Sequence, residues 1–207
     1  MKRFFLSILI VIAMLFIFNQ KSLANYPISV GPFIGLKGGV NAADIPWGSK
    51  NGFAFNTMPE IGVTGYLPFV EDAFFGGAVD LAYSTSGFLM KYGELKHTHQ
   101  YNYFNFSPYL YASGFTLGLN FGIPLGGTIS SSNNDEDVDS DDMATLIDVR
   151  LGGMIDVYAN ETGRLNIIIV GSYSLSGLLN KEYGGEYNYH PGQMYIGLNY
   201  MFNLVKE

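Results

Sequence analysis

Six carboxylates fall within eight residues at Asp135, Glu136, Asp137, Asp139, Asp141 and Asp142. Oxygen-rich segments attract Ca²⁺, and Asp135, Asp137, Asp139 and Asp141 repeat the alternate spacing with which an EF-hand loop begins. The glycine such a loop needs next is Ser140, and no Glu stands at the twelfth position. A solvated acidic loop is therefore the plainer reading, and a weak divalent-cation site the sharper one. His97 and His99 share one face of any strand and can hold Zn²⁺, but no third ligand is evident, and they also read as exposed polar loop residues. Ser84 and Ser86 with these imidazoles, or with His190, supply the materials for a nucleophile and its base. No G-x-S-x-G or H-E-x-x-H element accompanies them, so no catalysis and no cofactor are expected.

A different set of charges is embedded in apolar sequence: Lys37, Glu60, Asp80, Asp148 and Arg150, with Asp156 and Arg164. The elements that carry them alternate with period two, which puts successive side chains on opposite faces of a strand. Eight such stretches are expected, at 32–41, 59–68, 73–84, 101–112, 115–126, 143–158, 164–176 and 193–202. The fifth is the clearest, with Phe115, Leu117, Leu119, Phe121, Ile123 and Leu125 against Thr116, Gly118, Asn120, Gly122, Pro124 and Gly126. Connections of two to about five residues join the second stretch to the third, the fourth to the fifth and the sixth to the seventh. The other four (42–58, 85–100, 127–142 and 177–192) run to about 16 residues. Short turns at one end and long loops at the other are the asymmetry of a bacterial outer-membrane barrel.

Alternation alone also fits a soluble barrel with its apolar side chains inside. Charge placement separates the two. All seven strand charges fall on the parity of Gly, Asn, Ser and Tyr, and none on the bulky apolar one. A water-facing surface carries about a quarter to a third charged residues, which this polar parity does not. The apolar parity is then the lipid face, and Lys37, Glu60, Asp80, Asp148 and Arg150 face a narrow lumen. Eight strands leave an interior that side chains can just fill, and charges buried there must pair with one another. The expected fold is all-β, a transmembrane antiparallel up-and-down β-barrel of about eight strands behind a signal peptide.

The start fits that route. Met1-Lys2-Arg3 is basic, Phe4 to Phe18 is apolar, and Ser22-Leu23-Ala24 offers small residues at the cleavage positions. An apolar run this short is a signal before it is a spanning helix, though an uncleaved anchor is the other reading. Residues 1–24 then form the signal and 25–207 the barrel domain. Removing 1–24 takes Lys2, Arg3 and Lys21 and no acid, leaving 8 of the 11 basic residues against 18 acidic ones, a balance of −10. Such a chain lacks the clustered Lys and Arg that nucleic acid requires. With no Cys there is neither a lipid-bearing thiol nor a disulfide framework.

Three stretches carry a likeness. Gly35-Leu36-Lys37-Gly38-Gly39-Val40-Asn41 resembles the opening strand of the PorT-like outer-membrane β-barrel proteins of Bacteroidetes-type bacteria, and Ser107-Pro108-Tyr109 and Tyr195-Ile196-Gly197-Leu198-Asn199-Tyr200 resemble later parts of it. The resemblance implies an eight-stranded barrel related in architecture to the OmpA membrane domain, with some members associated with protein secretion and no catalytic residues to carry over. Phe202 is followed by five more residues, so the terminal aromatic of many outer-membrane proteins is internal here. The expected role is a non-enzymatic, monomeric barrel in the bacterial outer membrane. Both termini would be periplasmic, and the loops would contact lipopolysaccharide, surface polymers or another protein. A narrow porin-like channel and a rim-sited enzyme are the alternatives.

Overall fold

Antiparallel pairing accounts for the whole architecture of the computed structural model, which describes residues 27–43, 48–69, 75–131, 134–180 and 188–204. Eleven strands form among them: β1 (Ser29–Asn41), β2 (Ser49–Gly52), β3 (Ala54–Phe55), β4 (Glu60–Pro68), β5 (Phe75–Tyr92), β6 (Leu95–Ala112), β7 (Phe115–Ser131), β8 (Asp135–Val138), β9 (Leu146–Asn160), β10 (Gly163–Ser174) and β11 (Pro191–Asn203). Eight of them follow one another around a ring, β1-β4-β5-β6-β7-β9-β10-β11, and β11 returns to pair β1 from Ser29↔Asn203 to Asn41↔Pro191. Closure leaves no free edge along the ring, the only way strands can cross a bilayer. No described helix is long and apolar enough to do so. The signal segment at 1–24 lies outside the described residues.

The outward parity carries the bulky apolar residues. On β7, Phe115, Leu117, Leu119, Phe121, Ile123 and Leu125 are all exposed, and Leu67, Leu81, Phe106, Leu151 and Ile196 continue the surface around the ring. On β5 and β6 this band runs from Phe75 to Tyr83 and from Phe104 to Ala112. Each span is nine residues, the length that crosses a membrane when tilted about 45°. The fold is therefore a membrane-spanning up-and-down barrel.

At one end the turns are tight. Ser113 (φ 49°) and Gly114 (φ 89°) both have positive φ, the two-residue geometry whose twist matches the strands it joins. Asn160 Oδ1 accepts the backbone N–H groups of Thr162 and Gly163 at 3.0 Å each, closing the turn between β9 and β10. Ser29 and Asn203 lie at this same end.

The other end departs from the expected loops. Residues 85–100 do not form a 16-residue loop; they extend β5 and β6 into a hairpin that turns at Gly93-Glu94. The physical reason lies in solvent. Up to Tyr83 and Phe104 the outside meets lipid and is apolar. Beyond them Lys91, Lys96, Thr98 and Asn102 occupy the outward parity, while Phe88, Met90, His99 and Tyr101 are buried inward. The alternation persists but its polarity inverts, so the segment does not read as a continuation of the same strand. β7 makes a related change. Its register against β6 shifts between Asn102 and Tyr103, passing over Leu125, and Gly126 takes φ 111° there. That bulge turns Ile129 toward the interior, where the uninterrupted pattern would have turned it outward.

Candidate functional site

The polar side chains of the lumen form a belt to which all eight ring strands contribute. Lys37 on β1 lies 3.1 Å from Glu60 Oε2 at the start of β4, and both are buried. Lys37 Nζ also donates to Ser84 Oγ on β5 at 2.8 Å, and Ser84 donates on to Glu60 at 2.7 Å. Arg150 on β9 donates to Asp80 Oδ2 on β5 at 3.2 Å. Thr64 donates to the other oxygen of Asp80 at 2.8 Å, Asn199 donates to Thr64 at 3.2 Å, and Asn166 donates to Asn199 at 3.3 Å. On the remaining wall Ser107 donates to Asn120 at 2.7 Å, and Asn120 donates to Asp148 at 3.0 Å.

The five lumen charges therefore sort into two ion pairs and one acid held by an amide. Asp148 forms no ion pair among the described residues. The neutral links (Thr64, Ser84, Ser107, Asn120, Asn166 and Asn199) are not in the charge pattern. Their signal is parity alone: each sits on the same face as a charge. Asp156 and Arg164 also occupy the inward parity, and Arg164 lies 5.2 Å from the Tyr66 ring while donating to Ser29 Oγ at 3.3 Å.

Apolar layers seal the belt above and below. Toward the tight-turn end Phe33, Tyr66, Tyr111, Met154, Ile168, Val170, Tyr195 and Met201 pack together. Toward the long-loop end Phe88, Met90, Tyr101, Tyr103, Val138, Met143, Leu146, Leu178 and Leu179 do the same. The cavity beside Lys37, Glu60 and Asp148 measures about 10 Å³, as does that beside Asp80, Tyr109 and Tyr195. Each has room for about one water. The interior is thus more apolar than the Gly, Ser, Asn and Tyr expected of it, because its two ends are closed by hydrophobic contact.

Each histidine makes packing or hydrogen-bond contacts within the barrel. His99 is buried on β6, not exposed in a loop; its ring stacks on Phe88 at 4.7 Å and 8°, and its Nδ1 lies 3.1 Å from the Tyr101 hydroxyl. His97 packs edge-on against Tyr92. His190 Nδ1 lies 3.1 Å from the carbonyl of Ser174. Ser84 belongs to the lumen chain, and Ser86 accepts a hydrogen bond from Gln193 at 2.7 Å. Among the described residues no hydrogen bond joins either serine to an imidazole.

The acidic segment is not a wrapping loop. Asp135 to Val138 is strand β8, paired to β7 from Ser130↔Asp135 to Gly127↔Val138. Asp139 then precedes a short 3₁₀ turn at Ser140–Asp142. Alternation puts Asp135 and Asp137 on one face of β8 and Glu136 on the other, while Asp139 and Asp141 lie beyond the strand's end. Among the described residues no three acidic or imidazole groups, Asp135, Asp137, Asp139 and Asp141 included, converge on a metal position.

Burial gives the long-loop end a pH dependence. His99 lies five residues past the apolar band's edge at Phe104. Desolvation and, secondarily, the charge of His97 hold its pKa down at about 4. In the unfolded chain it titrates near 6.5, so acid favours unfolding as pH falls from about 6.5 toward 4. Packing of this end is expected to be firmest above pH 6.5 and to loosen through that window. A His99→Phe variant, followed by tyrosine fluorescence against pH, should lose the transition; an unchanged profile would place its origin elsewhere.

Fold and lumen together define a membrane-spanning β-barrel with a filled interior. No family model matches the chain, and no curated protein matches it. Among solved structures, the attachment invasion locus protein Ail of Yersinia pestis, crystallised with the heparin analogue sucrose octasulfate, is 14% identical, with 86% of this chain and 100% of its own covered and a TM-score of 0.42. Neisserial surface protein A is 11% identical over 85% of this chain and 97% of its own, with a TM-score of 0.44. The outer membrane protein OprG of Pseudomonas aeruginosa is 14% identical over 86% and 98%, with a TM-score of 0.33. The fold assignment rests on the closed ring and its apolar exterior.

Proposed function

We propose that the chain is a non-enzymatic, monomeric barrel of the bacterial outer membrane, of the PorT-like class. Residues 1–24 deliver it through the inner membrane and are removed. The tight turns and both termini face the periplasm. The long-loop end stands at the cell surface, where it contacts lipopolysaccharide, surface polymer or a partner protein. One observation carries this reading: the lumen is filled by a hydrogen-bonded belt of charged and polar side chains between two apolar layers, while the β5–β6 hairpin continues well past the lipid band. Material cannot be the cargo of so closed an interior, so the working surface is the projecting end.

The absence of Cys from the sequence makes the orientation directly testable. Glu94→Cys, at the hairpin tip, should react with a membrane-impermeant maleimide on intact cells. Ser113→Cys, in the opposite turn, should react only after lysis. The reverse pattern overturns the orientation. The purified barrel should show no stepwise conductance in planar bilayers; steady openings would favour a narrow channel instead.

A further inference from the structure

Three lysines lie in one row across three strands of the projecting wall. Register pairs Lys50 on β2 directly with Lys91 on β5, and Lys91 directly with Lys96 on β6. Directly opposed residues share a face, and Lys91 and Lys96 lie on the outward parity that carries Leu81 and Phe106 lower down. All three therefore point away from the barrel axis. Strands stand about 4.8 Å apart, so the ammonium groups span roughly 10 Å.

This placement is not what stability alone favours, because like charges set directly opposite destabilise a sheet. No ion pair joins the three to a carboxylate among the described residues. Glu94, in the turn between Lys91 and Lys96, is the nearest acid in sequence, and Asp135 and Asp137 lie two strands away on β8. The chain is otherwise poor in cations. Of its six described basic residues, Lys37, Arg150 and Arg164 face the lumen. Every described cation outside the lumen thus belongs to this row.

Height decides what the row can meet. Lys91 is eight residues past Tyr83 and Lys96 eight before Phe104, which is about 27 Å along the strand. Tilted by 35–45°, that places the row about 20 Å beyond the hydrocarbon edge. Headgroups occupy only about 5–8 Å on each side of the hydrocarbon core. The row stands clear of them.

We propose that Lys50, Lys91 and Lys96 form a binding site for an anionic glycan, a chain bearing sulfate or phosphate groups, in the layer beyond the lipid headgroups. Three point charges in line suit repeated anions on a linear polymer, and Thr98 and Ser130, side by side on the same face, offer hydroxyls to its sugars. Asp135 and Asp137, two strands or about 10 Å away, are largely screened from the row at physiological ionic strength, where charges more than about 8 Å apart hardly interact. The inference rests on the orientation proposed above.

The test is binding of dextran sulfate, with neutral dextran as control, to the purified barrel in zwitterionic phosphatidylcholine nanodiscs. Wild type should bind the sulfated polymer with an affinity that falls as salt rises, and should ignore neutral dextran. Each lysine near an anionic surface contributes about a fivefold gain, so K50Q/K91Q/K96Q should bind about a hundredfold more weakly. D135N/D137N should bind at least as well as wild type. Heat-modifiable mobility in detergent gels shows that each variant is folded. Equal binding by wild type and the triple variant overturns the proposal and leaves the lysines as charges that keep the hairpin tip soluble. An effect seen only with anionic lipid in the disc overturns it in favour of headgroups. The maleimide pattern of Glu94→Cys is read separately, so a failed glycan site is distinguishable from a failed orientation.

Discussion

Arg150→Met should destabilise the barrel by about 3–5 kcal/mol, the cost of removing one partner from a buried ion pair. Asp80 is buried, and without Arg150 it keeps the Thr64 hydroxyl and the nearby Tyr109 but no cation to offset its charge. A carboxylate in that position has room for about one water beside it and no path to bulk solvent past the apolar layers at both ends. The double change Arg150→Met with Asp80→Leu should recover most of the loss, since replacing a whole buried pair by apolar groups is often neutral or better. Recovery will be incomplete by about 1 kcal/mol, because Thr64 then lacks its acceptor. Urea unfolding in lipid vesicles, read by gel mobility, compares both variants with the wild type. If Arg150→Met shifts stability by less than about 0.5 kcal/mol, the size expected of a surface change, Asp80 is hydrated and the lumen is open.

The inward orientation of these charges is legible in the amino-acid sequence, and their pairing is not. Parity places Lys37, Glu60, Asp80, Asp148 and Arg150 on one set of faces because lipid excludes charge from the other. Which base meets which acid depends on strand order around the ring and on register. Sequence spacing does not encode either directly: Lys37 and Ser84 are 47 residues apart, and Arg150 and Asp80 are 70 apart. Asp148, two residues from Arg150, belongs to neither pair and is held by Asn120 across the sheet.

The projecting hairpin is hidden for another reason. An apolar parity identifies a face only while the solvent on that face stays the same. Between Thr85 and Gln100 the outward parity becomes mostly polar, and the interior becomes an apolar cluster of Phe88, Met90, Tyr101 and Leu178. The code reverses there, and alternation judged by the first code ends in what reads as a loop. His99 reads as exposed for the same reason. Asp135 to Asp137 mislead differently: their composition says loop, but pairing to β7 needs only backbone groups, which acidic side chains leave free on an exposed strand.

Leu119→Arg tests the lipid assignment on which all of this depends. Leu119 sits in the middle of the outward run Phe115 to Leu125, is 40% exposed and lies directly opposite Val149 on β9. If water bathed that face, an arginine there would be a surface change worth at most about 0.5 kcal/mol. In a bilayer the same side chain stands near the midplane and should cost about 2–4 kcal/mol. Thr98→Arg supplies the internal comparison: it occupies the same outward parity on β6, six residues past Phe104, and should be nearly neutral. Folding of both variants from urea into vesicles gives the two values under one condition. A large cost at Leu119 with none at Thr98 locates the boundary between lipid and water on a single continuous face. Equal, small costs at both sites would return the barrel to the soluble class, with its apolar exterior left to be covered by another protein.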